Sequence, residues 1–278
     1  ALGARLMAAL RQARPDVEFR GVGGPLMAAE GLDSLFPMED LAVMGVAEVL
    51  PRLPLLMKRI GQTAAAIAHE SPAIVVTIDS PDFSFRVVKK LRTMKAPLPR
   101  LFHYVAPTVW AWRPGRAAKL ARLYDGVICL FPCEPAYFTR AGMQATFAGH
   151  SMLEDGWDLA DASALRAAYR VPGDRTVIGA LFGSRAGEIA RTGPQMAQAL
   201  QAAAAALPGA HILALTLPSR AEQVQDLLRA VPAPATVVTD PAQKWNAFAA
   251  MDAALAVSGT VGLELAVAGV PHAICYRM

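Results

Sequence analysis

Three observations predict an α/β protein built on two open parallel sheets with helices on both faces. Short β-branched runs alternate with longer helical stretches along the whole chain, the pattern of parallel strands joined by helices. The run Ala73–Asp79 (AIVVTID) is almost wholly apolar, as a strand covered on both faces must be. After a polar, irregular stretch, Ser151–Val171, the alternation starts anew at Thr176–Leu181 (TVIGAL), so the sequence divides into halves there.

Each element has a local reason. Ala1–Arg14 reads as a helix that stops at the Pro15-Asp16 turn, and Val17–Val22 follows as a strand. Pro51 opens a helix to His69, because a first turn has no use for the N–H that proline lacks. After the strand at Ala73–Asp79 come the helix Asp82–Thr93, with Asp82 as its cap, and the strand Arg100–Val105. Pro114–Leu123 is a helix, Gly126–Leu130 a strand and Gly142–Ala148 a further candidate strand. Inside the separating stretch only Ala162–Tyr169 is helical. The second half reads as the Ala-rich helix Gly187–Ala206, the strand His211–Leu217 and the helix Arg220–Ala230. Thr236–Thr239, Ala253–Val257 and His272–Tyr276 are strands, with Ala242–Met251 and Val261–Ala268 as the helices between them.

Composition narrows the class. At ~150 residues per domain, 278 residues suit two domains, and 54% hydrophobic residues exclude disorder. No run reaches ~18 residues free of charge and strong polarity, so no transmembrane helix is expected. The start carries no secretory signal pattern. The +4 charge is scattered, not gathered into tracts; that argues against nucleic acid as a partner and permits an anionic ligand or membrane surface. Cys129, Cys133 and Cys275 form no C-x-x-C pair and read as reduced, buried small apolar residues. No three side chains show metal-ligand spacing, and no cofactor is expected.

Five stretches carry candidate chemistry. In TVIGALFGSRAGEI a strand delivers Gly183, Ser184 and Arg185 to the start of a helix, where free N–H groups and the positive dipole end suit a phosphate. The plain alternative is an ordinary turn with Ser184 as N-cap and Arg185 in solvent. In VSGTVGLE, Ser258, Gly259 and Thr260 repeat the arrangement, and Glu264 could accept both hydroxyls of a ribose or lie exposed on a capped helix. Two such junctions at the carboxyl ends of parallel strands favour a nucleotide diphosphate, and neither matches a Walker or G-x-G-x-x-G loop. Asp79 closes the apolar strand in DSPDF and is a candidate general base if partial burial raises its pKa; otherwise it merely closes a turn.

The fourth stretch, HYVAPTVWAWRPGR, sets Trp110 and Trp112 among Arg113 and Arg116, which suits a sugar or an anionic head group, or else plain packing. His103 and His150 read as hydrogen-bonded structural histidines before catalytic ones. The fifth, Leu41–Arg59, is rich in Leu, Val and Met with Arg52, Lys58 and Arg59 as cations. It could lie in a membrane interface or pack on the core, and its two prolines argue against one uninterrupted amphipathic helix.

DSPDF, HYVAPTVWAWRPGR, FAGH, LFGSRAGEI and SGTVGLELAVAGVP, in this order and spacing, resemble the lipid-A-disaccharide synthase family. The resemblance implies two Rossmann-like domains facing across a cleft, the GT-B arrangement. On it, residues 1–155 form the acceptor and lipid-binding domain, 156–170 a linker and 171–278 an incomplete UDP-sugar domain. The implied reaction is inverting transfer from UDP-2,3-diacylglucosamine to 2,3-diacylglucosamine 1-phosphate, giving a β-1,6-linked disaccharide 1-phosphate and UDP. Asp79 would then be the base, Gly183, Ser184 and Arg185 the diphosphate holders, and Ser258, Gly259, Thr260 and Glu264 the rest of the nucleotide pocket, without a metal. Leu41–Arg59 would gather acyl chains or meet the inner membrane, making the protein cytoplasmic and peripheral. Phe182 stands where the family usually has Pro, and Ser151 where Pro or Thr often follows G-H. The family's first strand with its G-E-A-S-G-D loop is expected before Ala1, and a C-terminal stretch that supports a homodimer after Met278; without them weak or no activity is expected. Alternatives of the same fold are another UDP-hexosamine transferase or a UDP-sugar 2-epimerase; one of a different class is a non-catalytic nucleotide- or lipid-binding fragment.

Overall fold

A computed structural model describes residues 2–41, 46–109 and 115–276. Trp110, Trp112 and Arg113 fall outside the described residues, as do residues 42–45 of the greasy segment. The chain divides into two compact units, Ala1–Ser151 and Met152–Met278.

Unit 1 comprises α1 (Leu2–Ala13), α2 (Pro25–Ala29), α3 (Val46–Glu70), β1 (Ile74–Ile78), α4 (Pro81–Arg92), β2 (Arg100–Tyr104), α5 (Gly115–Ala121), β3 (Gly126–Cys129), α6 (Pro135–Thr139) and β4 (Gln144–Phe147). Its strands pair in sequence order, all parallel, with Ile78 opposite Tyr104 and Tyr104 opposite Ile128. Helices α3 and α4 lie side by side, and Ile60, Val88, Leu91, Leu101, Leu120 and Phe138 close the core beneath them.

Four expectations fail in this unit. Strand β1 is not covered on both faces: it ends its sheet among the described residues, so Ile74 is 56% exposed and the rest of the strand is half-buried. Val17–Val22 is not a strand: only a single bridge joins Gly21 to Ser34, because Glu18 and Arg20 point into solvent and the run meets no partner strand among the described residues. Helix α3 runs through both Pro51 and Pro54. Each interior proline costs ~3 kcal/mol; further along, the helix packs Ile60, Ala64, Ile67 and Ala68 on the core. Asp82 does not cap α4; Ser80 holds that position, and Asp82 lies in the first turn, where its charge meets the positive end of the helix dipole.

Unit 2 comprises α7 (Ala162–Ala168), β5 (Val177–Leu181), α8 (Ala186–Ala206), β6 (His211–Leu215), α9 (Ala221–Leu228), β7 (Ala235–Val238), α10 (Lys244–Ala249), β8 (Ala253–Val257), α11 (Thr260–Val267) and β9 (His272–Cys275). The strand order is β7-β6-β5-β8-β9, all parallel, so the order reverses between β5 and β8. One face of the sheet carries Ile178, Ile212, Ile189, Met196 and Leu200; the other carries Leu213, Trp245, Phe248 and Leu265. Leu165 and Val171, from the stretch between the sheets, pack into the second of these cores. Strand β5 is buried along its whole length, which explains its continuous apolar run.

Among the described residues of unit 1 the most deeply buried polar side chain is His103, 0% exposed on β2. Its Nδ1 lies 2.7 Å from Thr77 Oγ1, which in turn donates to Tyr124 Oη at 3.0 Å. Phe85 packs edge-on against both the imidazole and the Tyr124 ring. Burial lowers the His103 pKa to about 4 from an ordinary 6.5. Between those values the unfolded chain binds the proton and the folded chain does not, so stability is present above pH 6.5 and lost as the pH falls. Lowering the pH from 7.5 to 4 should therefore remove about 3 kcal/mol from His103 alone. Urea unfolding of the wild type and His103→Gln at both pH values checks this. The variant should lose markedly less, and equal losses would contradict it.

Candidate functional site

The two junctions singled out in the second half of the sequence leave the sheet side by side. Leu181 of β5 is paired with Ala256 of β8, so the turns that follow, Phe182–Arg185 and Ser258–Thr260, share one place at the carboxyl edge where the strand order reverses. In open α/β sheets this is where a crevice forms and ligands bind. Phe182, 1% exposed, anchors the first turn in the core.

Gly183 follows with φ +99°, and a Cβ there would lie 2.3 Å from Glu188 Oε2. The left-handed backbone conformation favours glycine here, and any Cβ would also push the Glu188 carboxylate aside. Ser184 and Arg185 are exposed, and Arg185, not Ser184, is the N-cap of α8. No side chain caps that helix, so its first N–H groups stay open to an anion.

Gly259 is the N-cap of α11, again with no side-chain cap, and Ser258 and Thr260 are exposed beside it. Glu264 lies one turn into α11 and is not solitary. Its Oε1 accepts from Lys244 Nζ at 3.0 Å, and the same ammonium lies 3.5 Å from Asp155 Oδ2. Lys244 opens α10, which starts at the same edge of the sheet, and its Nζ sits 4.6 Å from the centroid of the Trp245 ring. Lys244 and Asp155 stand 20 and 109 positions from Glu264 and carry no motif, so nothing in the sequence marks them.

In unit 1 Asp79 follows β1 at its carboxyl end, with its N–H donating to Tyr104 O at 2.9 Å. Asp79 and Ser80 have φ of +49° and +44°, and Val105, at the adjacent end of β2, has φ +77°. A β-branched residue there is a true outlier, and strain gathered at one strand edge points to function. Asp79 is exposed, not partly buried as expected, and among the described residues no side chain or N–H bonds its carboxylate. The buried acid at this edge is Glu134, 4% exposed, which accepts the N–H groups of Leu130 and Phe131 and closes the turn after β3. Burial raises its pKa.

The remaining candidates divide plainly. His103 is structural, as its contacts show. Arg59, expected among the head-group cations, is instead held by Asp40 at 2.6 Å and covers the Phe36 ring; Arg52 and Lys58 are exposed, with Leu53 and Met57 beside them. Cys129 is buried as expected, but Cys133 is exposed, because the turn after β3 carries it outward. A cavity of about 470 Å³ beside Arg166 and Arg170 holds no candidate residue, and Arg166 donates there to the carbonyls of Pro172, Gly173 and Arg175. Among the described residues no group of His, Cys, Asp and Glu is arranged to hold a metal, and no helix is long and apolar enough to cross a membrane.

Residues 1–278 match the family model described as lipid-A-disaccharide synthetase. A curated lipid-A-disaccharide synthase of Rhodospirillum centenum is 50% identical over 278 residues, all of this chain and 69% of the relative. One from Pseudomonas aeruginosa is 39% identical, over all of this chain and 72% of the relative. Among solved structures, the Staphylococcus aureus MnaA-UDP co-structure aligns with a TM-score of 0.66 at 13% identity, covering 97% of this chain and 73% of that one. Acinetobacter baumannii MurG aligns with a TM-score of 0.54 at 16% identity, covering 98% and 73%. At these identities the likeness is one of fold.

The Gly183 geometry yields a direct expectation. Gly183→Ala should destabilise unit 2 by about 1–3 kcal/mol through backbone strain, with Glu188 displaced as well. Chemical denaturation followed by tryptophan fluorescence measures it. Wild-type stability in the variant would show that the turn does not need glycine.

Proposed function

We propose the chemistry of this chain from the premise that it belongs to the lipid-A-disaccharide synthase family of glycosyltransferases, at up to 50% identity over its whole length. That membership favours sugar transfer over the UDP-sugar 2-epimerase alternative. The donor is UDP-2,3-diacylglucosamine and the acceptor 2,3-diacylglucosamine 1-phosphate. The observation that carries the reading is the adjacency of two uncapped helix starts at the reversal point between β5 and β8. Anionic oxygens of the diphosphate meet the N–H groups behind Gly183 and Gly259, the hydroxyls of Ser184, Ser258 and Thr260, and the Arg185 guanidinium. Glu264 accepts the ribose hydroxyls.

In the transfer step the Asp79 carboxylate takes the proton of the acceptor's 6-hydroxyl while that oxygen attacks the anomeric carbon. The bond from that carbon to the UDP oxygen breaks, the configuration inverts, and UDP departs with the electron pair. Arg185 and the α8 N-terminus favour that step because negative charge grows on the leaving diphosphate. Asp79 and Ser80 adopt left-handed backbone just past the end of β1, and Asp79 is exposed there. Acyl chains and the cytoplasmic face of the inner membrane are met by the exposed Leu53 and Met57 with Arg52 and Lys58. The protein is peripheral there and works as a homodimer.

Two substitutions separate the roles. Asp79→Asn should lower turnover about 10²–10⁴-fold, the range of a lost general base, with UDP affinity kept. Arg185→Ala should weaken UDP binding by about 1.5–3 kcal/mol, the size of a charge-assisted contact. Calorimetric titration with UDP and an assay with diacylated donor and acceptor read both. Unchanged turnover removes Asp79 from the mechanism, and unchanged affinity removes Arg185 from the pocket.

A further inference from the structure

We propose that Lys244 is a positioning residue for the nucleotide, holding the Glu264 carboxylate in the orientation that receives the ribose; the inference rests on the reading of Glu264 given above. A glutamate on a helix surface is free to turn about three side-chain bonds, and a two-hydroxyl acceptor must keep one orientation. In unit 2 that freedom is removed. The Lys244 ammonium binds Oε1 at 3.0 Å, and among the described residues no donor occupies Oε2. The side chains of Lys244, Glu264 and Asp155 are 27%, 21% and 24% exposed, so solvent screens their attraction only in part.

Lys244 is itself fixed from two further sides. Its ammonium lies over the ring of Trp245, which is 7% exposed and stacked edge-on against Phe248 at 5.6 Å. Asp155, 3.5 Å away, comes from the short turns that precede α7, 89 positions earlier in the chain. The sign of the charges gives a second reason. A nucleoside diphosphate is strongly anionic, yet Glu264 and Asp155 place two carboxylates beside its pocket. A cation between them offsets their repulsion of one another and of the ligand. Trp245 supplies a surface that keeps the cation there whether or not a nucleotide is bound.

The test is calorimetric titration of the full-length enzyme with UDP and, separately, with 2′,3′-dideoxy-UDP, which lacks both ribose hydroxyls. Lys244→Met should weaken UDP about tenfold, as loss of a hydrogen bond to a charged group does, and leave the dideoxy compound nearly unaffected. Lys244→Arg should restore most of the UDP affinity. In turnover assays Lys244→Met should raise KM for the donor and leave kcat close to wild type. Glu264→Gln separates the layers of the argument. If it weakens UDP while Lys244→Met does not, the positioning role is wrong and the ribose assignment stands. If Glu264→Gln leaves UDP binding unchanged, the ribose assignment fails and this inference with it. Equal weakening of both nucleotides by Lys244→Met, or no recovery in Lys244→Arg, would assign Lys244 a general charge or folding role and overturn the proposal.

Discussion

The pairing of β5 with β8 is the constraint on which the second unit depends. Gly179 in β5 permits it: a Cβ there would come within 2.3 Å of Met251 Sδ and 2.9 Å of the Ala254 methyl, so any side chain would force the two strands or the loop before β8 apart. With that approach secured, Leu181 sits opposite Ala256, and the turns after both strands emerge together at the reversal of strand order. The burial of Phe182 and the left-handed Gly183 then set the start of α8, and Gly259 sets the start of α11. Side chains in this region refine a geometry that the backbone has already imposed.

Charge at this edge follows the same logic. Two uncapped helix starts and Arg185 provide positive potential where a diphosphate would lie, while the nearby carboxylates are held by Lys244. Unit 1 organises its corresponding edge differently, through strain. Asp79, Ser80 and Val105 all adopt left-handed backbone at the ends of β1 and β2, where Asp79 N–H still donates to Tyr104 O and Val105 N–H to Ile128 O. Backbone conformations that cost free energy persist at sites where a side chain has to be aimed.

Much of this was legible in the chain because parallel strands write continuous apolar runs: TVIGAL marks the fully buried β5, whereas AIVVTID marks a strand correctly but not its burial, since β1 ends its sheet among the described residues and is only half-covered. The positions of Asp79, Gly183–Arg185 and Ser258–Thr260 followed from strand ends alone. What escaped did so for physical reasons. Val17–Val22 has strand composition, but a strand needs a neighbour, and composition does not say whether one exists. Pro51 and Pro54 signal helix breaks locally, yet α3 continues through them and packs its later turns on the core, which no local signal announces. Lys244 and Asp155 meet Glu264 only through the fold, and the Val105 strain is a backbone property with no residue signature.

A crystal structure of the enzyme grown with UDP tests the central claim most directly. The diphosphate oxygens should lie within hydrogen-bond distance of the backbone nitrogens that open α8 and α11, with Arg185 beside them and the ribose hydroxyls on Glu264. A diphosphate bound away from the β5–β8 edge, for instance beside Arg166 and Arg170, would contradict it.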